Sequence, residues 1–263
     1  MINKNFISIL ITNFNKEKFL NKSLQAACSQ NFDNYEIIIF DDCSTDGSID
    51  IIKKYKKVKL LTNKFRYKKE SSPLNQINGI YEGLKKSKGN IICLLDGDDY
   101  FKKNKLLKID QFFHNNKKLN CVFDIPKHGL ARFKLKKKLL KSSIWPTIFP
   151  TSCVSVRRKF LIDFFKNAYK KDFPHLEIDA RLTIFSKFYM NEYNILSKKL
   201  TYYNYDHNGI TAKIKKYSMI WWIRRSEAFS YLRIIMKKRK NLFISSFDYY
   251  LTKFLTFFLK KIL

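Results

Sequence analysis

The sequence predicts an α/β fold, a mostly parallel sheet flanked by helices, followed by a helical extension rich in basic and aromatic residues. Three observations carry that prediction. Short β-branched runs alternate with segments of helical period through the N-terminal part of the chain. Two of those runs end in clusters of carboxylates. Beyond residue 215, Trp, Tyr and Phe interleave with Lys and Arg. Strands alternating with helices at this rhythm build βαβ units and hence a parallel sheet.

Phe6–Ile11 is a β-branched run that stops at the polar Thr12-Asn13-Phe14-Asn15, a strand leading into a loop. From Lys18 to Ser29, Phe19, Leu24 and Ala27 fall at near-helical spacing. Tyr35–Phe40 is a continuous apolar run of the kind buried on both faces of a parallel sheet. It ends in Asp41-Asp42-Cys43-Ser44-Thr45-Asp46-Gly47-Ser48. Ile49–Tyr55 resumes a helical pattern, Val58–Leu61 is a third strand, and Leu74–Lys86 is helical up to the punctuation of Gly89. Asn90–Leu95 is a fourth strand, running into Asp96-Gly97-Asp98-Asp99. Ligands bind at the carboxyl ends of the strands in open parallel sheets, so both acidic clusters should converge on one crevice.

Composition narrows the field less than it first suggests. The 263 residues hold 52 Lys+Arg against 22 Asp+Glu, a formal charge of +30. Charge of that sign implies phosphate somewhere, on nucleic acid, an anionic membrane or a phosphorylated substrate. Forty-three of the cations are Lys, however, and Lys, Asn, Ile and Phe share A/T-rich codons, so part of the excess reflects base composition. At 45% hydrophobic and 16% aromatic, the chain is too apolar for a disordered basic tail. Five dispersed cysteines without a C-x-x-C read as reduced thiols, as expected of a cytoplasmic protein. No signal peptide and no transmembrane span are expected, since the N-terminal apolar run stops at Thr12 and later runs are interrupted by charges.

Asp96-Gly97-Asp98 sets two carboxylates two residues apart, a pattern suited to a hard divalent cation such as Mg²⁺ or Mn²⁺ that takes oxygen ligands. Taken alone, such a triplet is equally a solvated turn.

At this point the chain resembles the family 2 glycosyltransferases of the GT-A fold, from residue 6 to about 212. The matching stretches are Ile7–Asn15, Ser29–Phe32, Glu36–Ser48 and Gly89–Asp99, in order and at the family's spacing. The resemblance implies a GT-A, Rossmann-like sheet with a nucleotide-sugar-binding half over 1–105, an acceptor-binding half over 106–215 and the extension over 216–263. It implies an inverting, Mn²⁺- or Mg²⁺-dependent glycosyltransferase. Such an enzyme moves a sugar from a nucleotide-diphospho-sugar, here uridine-linked, to a glycan or lipid-linked acceptor in surface polysaccharide synthesis.

The same resemblance assigns roles to individual residues. Thr12, Phe14, Asn15, Asp41, Asp42, Asn78 and Asp96 fall on nucleotide-binding positions. Asp42 is the carboxylate that would accept from a uracil-type ring N–H. Asp98 falls on the direct metal ligand, with Asp96 towards the ribose or behind the metal, and His207 either completes the metal or diphosphate site or serves a structural role, the two readings fitting about equally. Trp145 would stack on the acceptor sugar, a role that core packing explains equally well. Asp179 matches the catalytic base, a carboxylate opening a helix with an apolar residue three positions on, Leu182; Glu177 is the second choice. One departure stands out: Ile77 lies where the family usually has Arg, and Lys64, Lys68 or Lys69 would have to supply the missing charge.

Two further readings follow from the charge. Residues 127–141 hold seven Lys/Arg and no acid, and 216–263 hold eleven against two. A peripheral contact with an anionic membrane through 216–263 and a helical pair packed on the domain both fit this pattern. No nucleic acid is expected as a partner, because no nucleic-acid motif is present and the cations are mostly Lys. A basic nucleic-acid-binding protein and a catalytically degenerate GT-A scaffold are the competing functions.

Overall fold

A computed structural model describes residues 5–68, 71–128, 145–168, 172–204, 214–238 and 246–261. Among the described residues there are eight strands: β1 (Ile7–Asn13), β2 (Tyr35–Asp41), β3 (Val58–Thr62), β4 (Ile91–Asp96), β5 (Tyr100–Phe101), β6 (Cys121–His128), β7 (Val154–Arg157) and β8 (Ile195–Tyr203). The helices are α1 (Glu17–Cys28), α2 (Ser48–Lys53), α3 (Ser72–Lys86), α4 (Lys105–Asn115), α5 (Arg158–Asn167), α6 (Ile178–Ile184), α7 (Met219–Lys238) and α8 (Phe247–Lys261).

All strands join one sheet in the order β3-β2-β1-β4-β7-β6-β8-β5. The first four are parallel, as their continuous apolar runs predict; β4 then meets β7 antiparallel, and β7 meets β6 antiparallel. The β4–β7 pairing runs the sheet unbroken from the first part of the chain into the second. Strand β6 lies parallel to β8 with register shifts between Asp124 and Pro126, where proline removes a ladder donor.

Period-two alternation divides the core between the two faces of the sheet. Ile7, Ile9, Ile11, Ile37, Ile39, Cys93 and Leu95 pack with residues of α1, α2 and α4. Leu10, Ile38, Ile92 and Leu94 point the other way, into a cluster with α3, α5, α6 and α7. Helix α3 approaches the sheet closely at Gly79, where a Cβ would come within 2.8 Å of the Phe40 ring.

The strand register fixes the site. Thr12 on β1 lies opposite Phe40 on β2 and Asp96 on β4, and Asn13 lies opposite Asp41. Asp41 and Asp96 are thus the last paired residues of their strands rather than the first loop residues, one position deeper than the sequence suggests. The acidic clusters meet at the C-terminal edge of three adjacent parallel strands.

The extension divides its two helices between different environments. Helix α7 is docked, with Phe229, Tyr231, Leu232 and Ile235 fully buried. Helix α8 packs on α7 and turns Phe247, Tyr250, Phe254, Phe257 and Phe258 outward. Among the described residues no helix is long and apolar enough to cross a membrane. Most of the 127–141 basic tract lies outside the described residues.

Candidate active site

The loops after β1 and β2 are stitched together before any ligand is considered. Both oxygens of the buried Asp41 are engaged: Oδ1 accepts from the Ser44 N–H, and Oδ2 from Asn13 Nδ2 and the Ser44 hydroxyl. Asn15 adopts a left-handed backbone at φ 51°, which Asn tolerates. Its N–H donates to Ser44 Oγ, and its side-chain oxygen accepts from the Thr45 N–H at 2.8 Å. Asp41 and Asn15 therefore shape the crevice floor, with both carboxylate oxygens of Asp41 already engaged in it.

Asp42 is different. Arg66 Nε donates to its Oδ2 at 2.9 Å, while Oδ1 is buried with no hydrogen-bond partner. The Arg66 guanidinium also lies 3.9 Å from the centre of the Phe14 ring. Burial pushes the Asp42 carboxyl up, and Arg66 opposes the shift. Phe14, Asp42 and Arg66 thus form one wall holding a buried acceptor atom. Among the described residues the cation beside the expected base pocket is Arg66; Lys64 and Lys68 are exposed, and Lys69 lies outside the described residues.

Helix α3 also corrects the reading of Ile77 and Asn78. Ile77 is fully buried in the core and faces the sheet, so its place could not hold a charge aimed at the crevice. The residue one position earlier, Gln76, donates to Asp96 Oδ1 at 2.6 Å. Asn78 is half-buried and makes no side-chain hydrogen bond among the described residues. Asn75 pins the preceding loop by a two-way bond to the Lys68 backbone.

The carboxylates after β4 sort into three roles. Asp96 Oδ1 accepts from Thr12 Oγ1 and Gln76, and its N–H donates to Ser152 Oγ at 3.0 Å. Asp98 faces Lys16, whose ammonium sits 2.5 Å from Oδ2. Asp99 is fully buried, with Oδ2 accepting from the Ser152 hydroxyl and Oδ1 from the Asn204 N–H. Asp99 consequently ties β4 to β8 and leaves Asp96 and Asp98 as the pair facing the crevice. Gly97 between them is required by space, since a Cβ would stand 2.5 Å from Asn13 Oδ1.

Beneath this cluster lies a buried cation that sequence reasoning missed. Lys105 has no exposure, and its ammonium donates to Asp124 Oδ1, the Ser152 carbonyl and Thr201 Oγ1, all within 2.8 Å. It holds Ser152, and Ser152 holds both Asp96 and Asp99. The only local signal was a lysine opening an apolar helix.

Helix α6 packs on α3 and α7, and the chain leading into it is tied to the start of α3 by the Ser71 hydroxyl donating to the Pro174 carbonyl. Arg181, fully buried, donates to the carbonyls of Leu176 and Phe173 and fixes the turn that leads into the helix. Asp179 stands half-buried in the first turn, with Oδ1 accepting from the Ala180 N–H. Burial and the charge of Glu177 push its carboxyl up to about 7, against the pull of Arg224. Glu177 is paired with Arg224 at 2.5 Å, and its Oε1 is buried without a partner. Burial and the charge of Asp98 likewise push Asp96 to about 7, with a further contribution from Asp179. The Tyr203 phenol is raised by burial and by the charges of Asp99, Asp96, Asp98 and Asp179. Asp179 and the Asp96/Asp98 pair share one electrostatic environment.

The chemistry of the donor set fits a divalent cation. Asp96 and Asp98 offer hard oxygen atoms, their mutual repulsion favours a positive charge, and the Lys16 ammonium already stands on Asp98. Among the described residues no group of three His, Cys, Asp or Glu side chains is gathered for a metal, so water and substrate oxygens would complete the shell. His207 lies outside the described residues.

Trp145 is less open to a ligand than a stacking role implies. Its ring packs on the core, 4.7 Å from the Phe229 ring, and its Nε1 is buried without a partner.

A parallel sheet with acidic strand ends at a single crevice, continued by antiparallel strands, is the GT-A architecture. The description "Glycosyl transferase family 2" matches residues 8–190, and the chain belongs to that family. It is 28% identical over 127 residues to the putative teichuronic acid biosynthesis glycosyltransferase TuaG of Bacillus subtilis, covering 48% of each chain. It is 26% identical over 219 residues to the poly(ribitol-phosphate) beta-N-acetylglucosaminyltransferase TarS of Staphylococcus aureus, covering 77% of this chain and 36% of TarS. The crystal structure of S. aureus TarS 1–349 in complex with UDP superimposes with a TM-score of 0.65 at 19% identity, over 91% of this chain and 67% of that one. The mannosyltransferase PcManGT from Pyrobaculum calidifontis, in complex with GDP-Man and Mn²⁺, gives 0.59 at 14% identity, over 93% and 67%. The chain spans about half or less of the length of these curated relatives.

Proposed function

We propose that the chain is a metal-dependent inverting glycosyltransferase that takes its sugar from a uridine-diphospho-sugar, and that Asp179 is its catalytic base. The observation that carries this reading is the strand register that sets Asp41 and Asp96 at the C-terminal ends of strands flanking β1, with the unpartnered Asp42 Oδ1 next in the chain and α6, which bears Asp179, packed on α3.

The residues divide the work between the two substrates. Asp42 Oδ1, buried and unpartnered, is suited to accept the imide N–H of uracil, with Phe14 and Arg66 forming the adjoining wall. Thr12 and Gln76 hold Asp96 in place beside the ribose and diphosphate. Asp98, with Asp96, would hold Mn²⁺ or Mg²⁺, which when bound neutralises the leaving diphosphate. Asp179 takes the acceptor hydroxyl proton as that oxygen bonds to the anomeric carbon and the carbon–phosphate oxygen bond opposite breaks, inverting the centre. A carboxylate raised to about 7 accepts a proton more readily near neutral pH than one at its ordinary value.

The acceptor class is a glycan or lipid-linked saccharide. The S. aureus TarS complexes with UDP and UDP-GlcNAc and the Escherichia coli relative WfaP, described as a UDP-Glc:alpha-D-GlcNAc-diphosphoundecaprenol beta-1,3-glucosyltransferase, support the donor and the acceptor class respectively. The test is a thermal-shift panel of UDP, CDP, GDP and ADP with and without Mn²⁺. UDP should stabilise the protein most, and more with the metal; if no uridine nucleotide shifts the transition, the donor assignment falls.

A further inference from the structure

Helix α8 is amphipathic in the reverse of the usual sense for a helix packed on a protein. Its polar side chains face inward: Thr252 is fully buried and Thr256 nearly so. Asp248 pairs with Arg225, which also donates to Thr252 Oγ1. Lys253 donates to the hydroxyls of Ser226 and Ser230, and the Thr256 hydroxyl to the Trp222 carbonyl. Its apolar side chains face away from the protein. Phe247, Tyr250, Leu251, Phe254, Phe257 and Phe258 are exposed by 82, 61, 36, 57, 55 and 46%. Those positions run i, i+3, i+4, i+7, i+10 and i+11, one continuous stripe of a 3.6-residue helix. The inner face has its partners on α7, whereas the stripe is open to solvent, and a contiguous exposed apolar face of this kind marks an interaction surface.

From this we propose that α8 is a membrane-docking helix that lies in the plane of an anionic bilayer with its phenylalanine stripe inserted at the interface. Two observations select a lipid surface over a second copy of the chain. Each copy carries +30, and 216–263 alone holds eleven Lys/Arg against two acids. Pairing two such stripes would bring like charges together, whereas an anionic headgroup layer supplies the opposite sign. A helix of 15 residues is about 22 Å long, short of the roughly 30 Å hydrocarbon core, so it lies along the interface rather than across it. The inference goes beyond the transferase reading and does not depend on it.

Co-sedimentation of the full chain with extruded vesicles tests it, comparing phosphatidylcholine alone with phosphatidylcholine containing 30% phosphatidylglycerol, about the anionic fraction used to set a strongly negative surface. The chain should pellet with the phosphatidylglycerol vesicles, less so as salt rises. The double variant F254S/F258S should lose about tenfold or more in partitioning, since two exposed rings no longer insert. Both residues are exposed, so the variant should keep its melting temperature and its response to UDP, which separates docking from folding and from donor binding. The proposal is overturned if the wild-type chain ignores the anionic vesicles or if the double variant binds them as well. Equally, a dimer in light scattering that F254S/F258S dissolves, without vesicle binding, would assign the stripe to a second copy.

Discussion

Arg66 Nε donates to Asp42 Oδ2 and leaves Asp42 Oδ1 buried without a partner, so one oxygen of a single carboxylate is spent on the fold and the other has no hydrogen bond of its own. If that free oxygen reads the uracil imide, the protein should favour UDP over CDP, whose ring nitrogen at that position carries no hydrogen. A charge-assisted hydrogen bond contributes about 1.5–3 kcal/mol, so the preference should be roughly tenfold or more by calorimetric titration. Asp42→Asn should erase most of it, because an amide can present either a donor or an acceptor. Arg66→Gln should weaken both nucleotides, since it removes the cation that holds this wall together.

Asp98 carries the metal prediction. Asp98→Asn should abolish the Mn²⁺-dependent part of nucleotide stabilisation while leaving any metal-independent part, as read by thermal shift. The substitution also removes the neighbouring charge that, after burial, does most to raise Asp96, so the Asp96 carboxyl should titrate lower than about 7. Carboxyl-carbon NMR of the protein without metal would follow that change directly.

Asp179 links activity and stability to pH with opposite signs. As a base it must be ionised, so kcat/KM should rise as pH climbs through about 7. Its raised folded-state value means the fold prefers the neutral acid. That contribution to stability is complete below the ordinary aspartate range and is lost as pH rises to about 7 and beyond. Asp179→Asn, which cannot ionise, should therefore match the wild type near pH 4 and melt higher at pH 8, while transfer falls by roughly 10²-fold or more. A variant that melts lower at pH 8, or keeps transfer, would remove Asp179 from the base role.

The sheet edge was legible in the sequence because parallel strands buried on both faces are continuous apolar runs, and their carboxylate ends mark the ligand side. Tyr35–Phe40 and Asn90–Leu95 therefore located β2 and β4 to within a residue. The strands from β5 onward were opaque for physical reasons. Strand β5 has two residues and β7 four, too short for period-two alternation to register, and β6 is interrupted at Pro126. Arg66 was hidden in a lysine-rich loop whose path only tertiary packing sets. Helix α8 was read with its aromatics as either core or surface, and the inward threonines that decide between them have no distinctive pattern of their own.

Lys105 shows how much of the site rests on a group that touches no substrate. Replacing it with methionine keeps the length of the stem but leaves Asp124 buried without its cation. Breaking one side of a buried pair costs about 3–5 kcal/mol, so Lys105→Met should lower the unfolding free energy measured in urea by that order. The loss should be partly recovered by Lys105→Met/Asp124→Leu, which removes both charges. In the double variant Ser152 still lacks the ammonium on its carbonyl, so nucleotide affinity should stay reduced even where stability returns. Full recovery of affinity would show that Lys105 acts through stability alone.

Ile77 and Gln76 make opposite predictions although they are neighbours on one helix. A hundred-degree turn separates adjacent residues on an α-helix, so when Ile77 faces the sheet, Gln76 faces the crevice. Ile77→Arg would force a guanidinium into a site now filled by a fully buried apolar side chain among Leu10, Ile38 and Ile80. It should cost several kcal/mol, on the order of 3–5, and bring no gain in nucleotide affinity. Gln76→Arg would instead set its charge against Asp96 Oδ1, where Gln76 now donates at 2.6 Å. That charge should lower the Asp96 carboxyl, strengthen binding of UDP in the absence of metal, and change the melting temperature little. Measuring UDP affinity and urea midpoints for the two variants side by side checks the helix register itself. If Ile77→Arg were the tolerated change and the one that tightened UDP, α3 would have to be rotated from the orientation in which Gln76 holds Asp96.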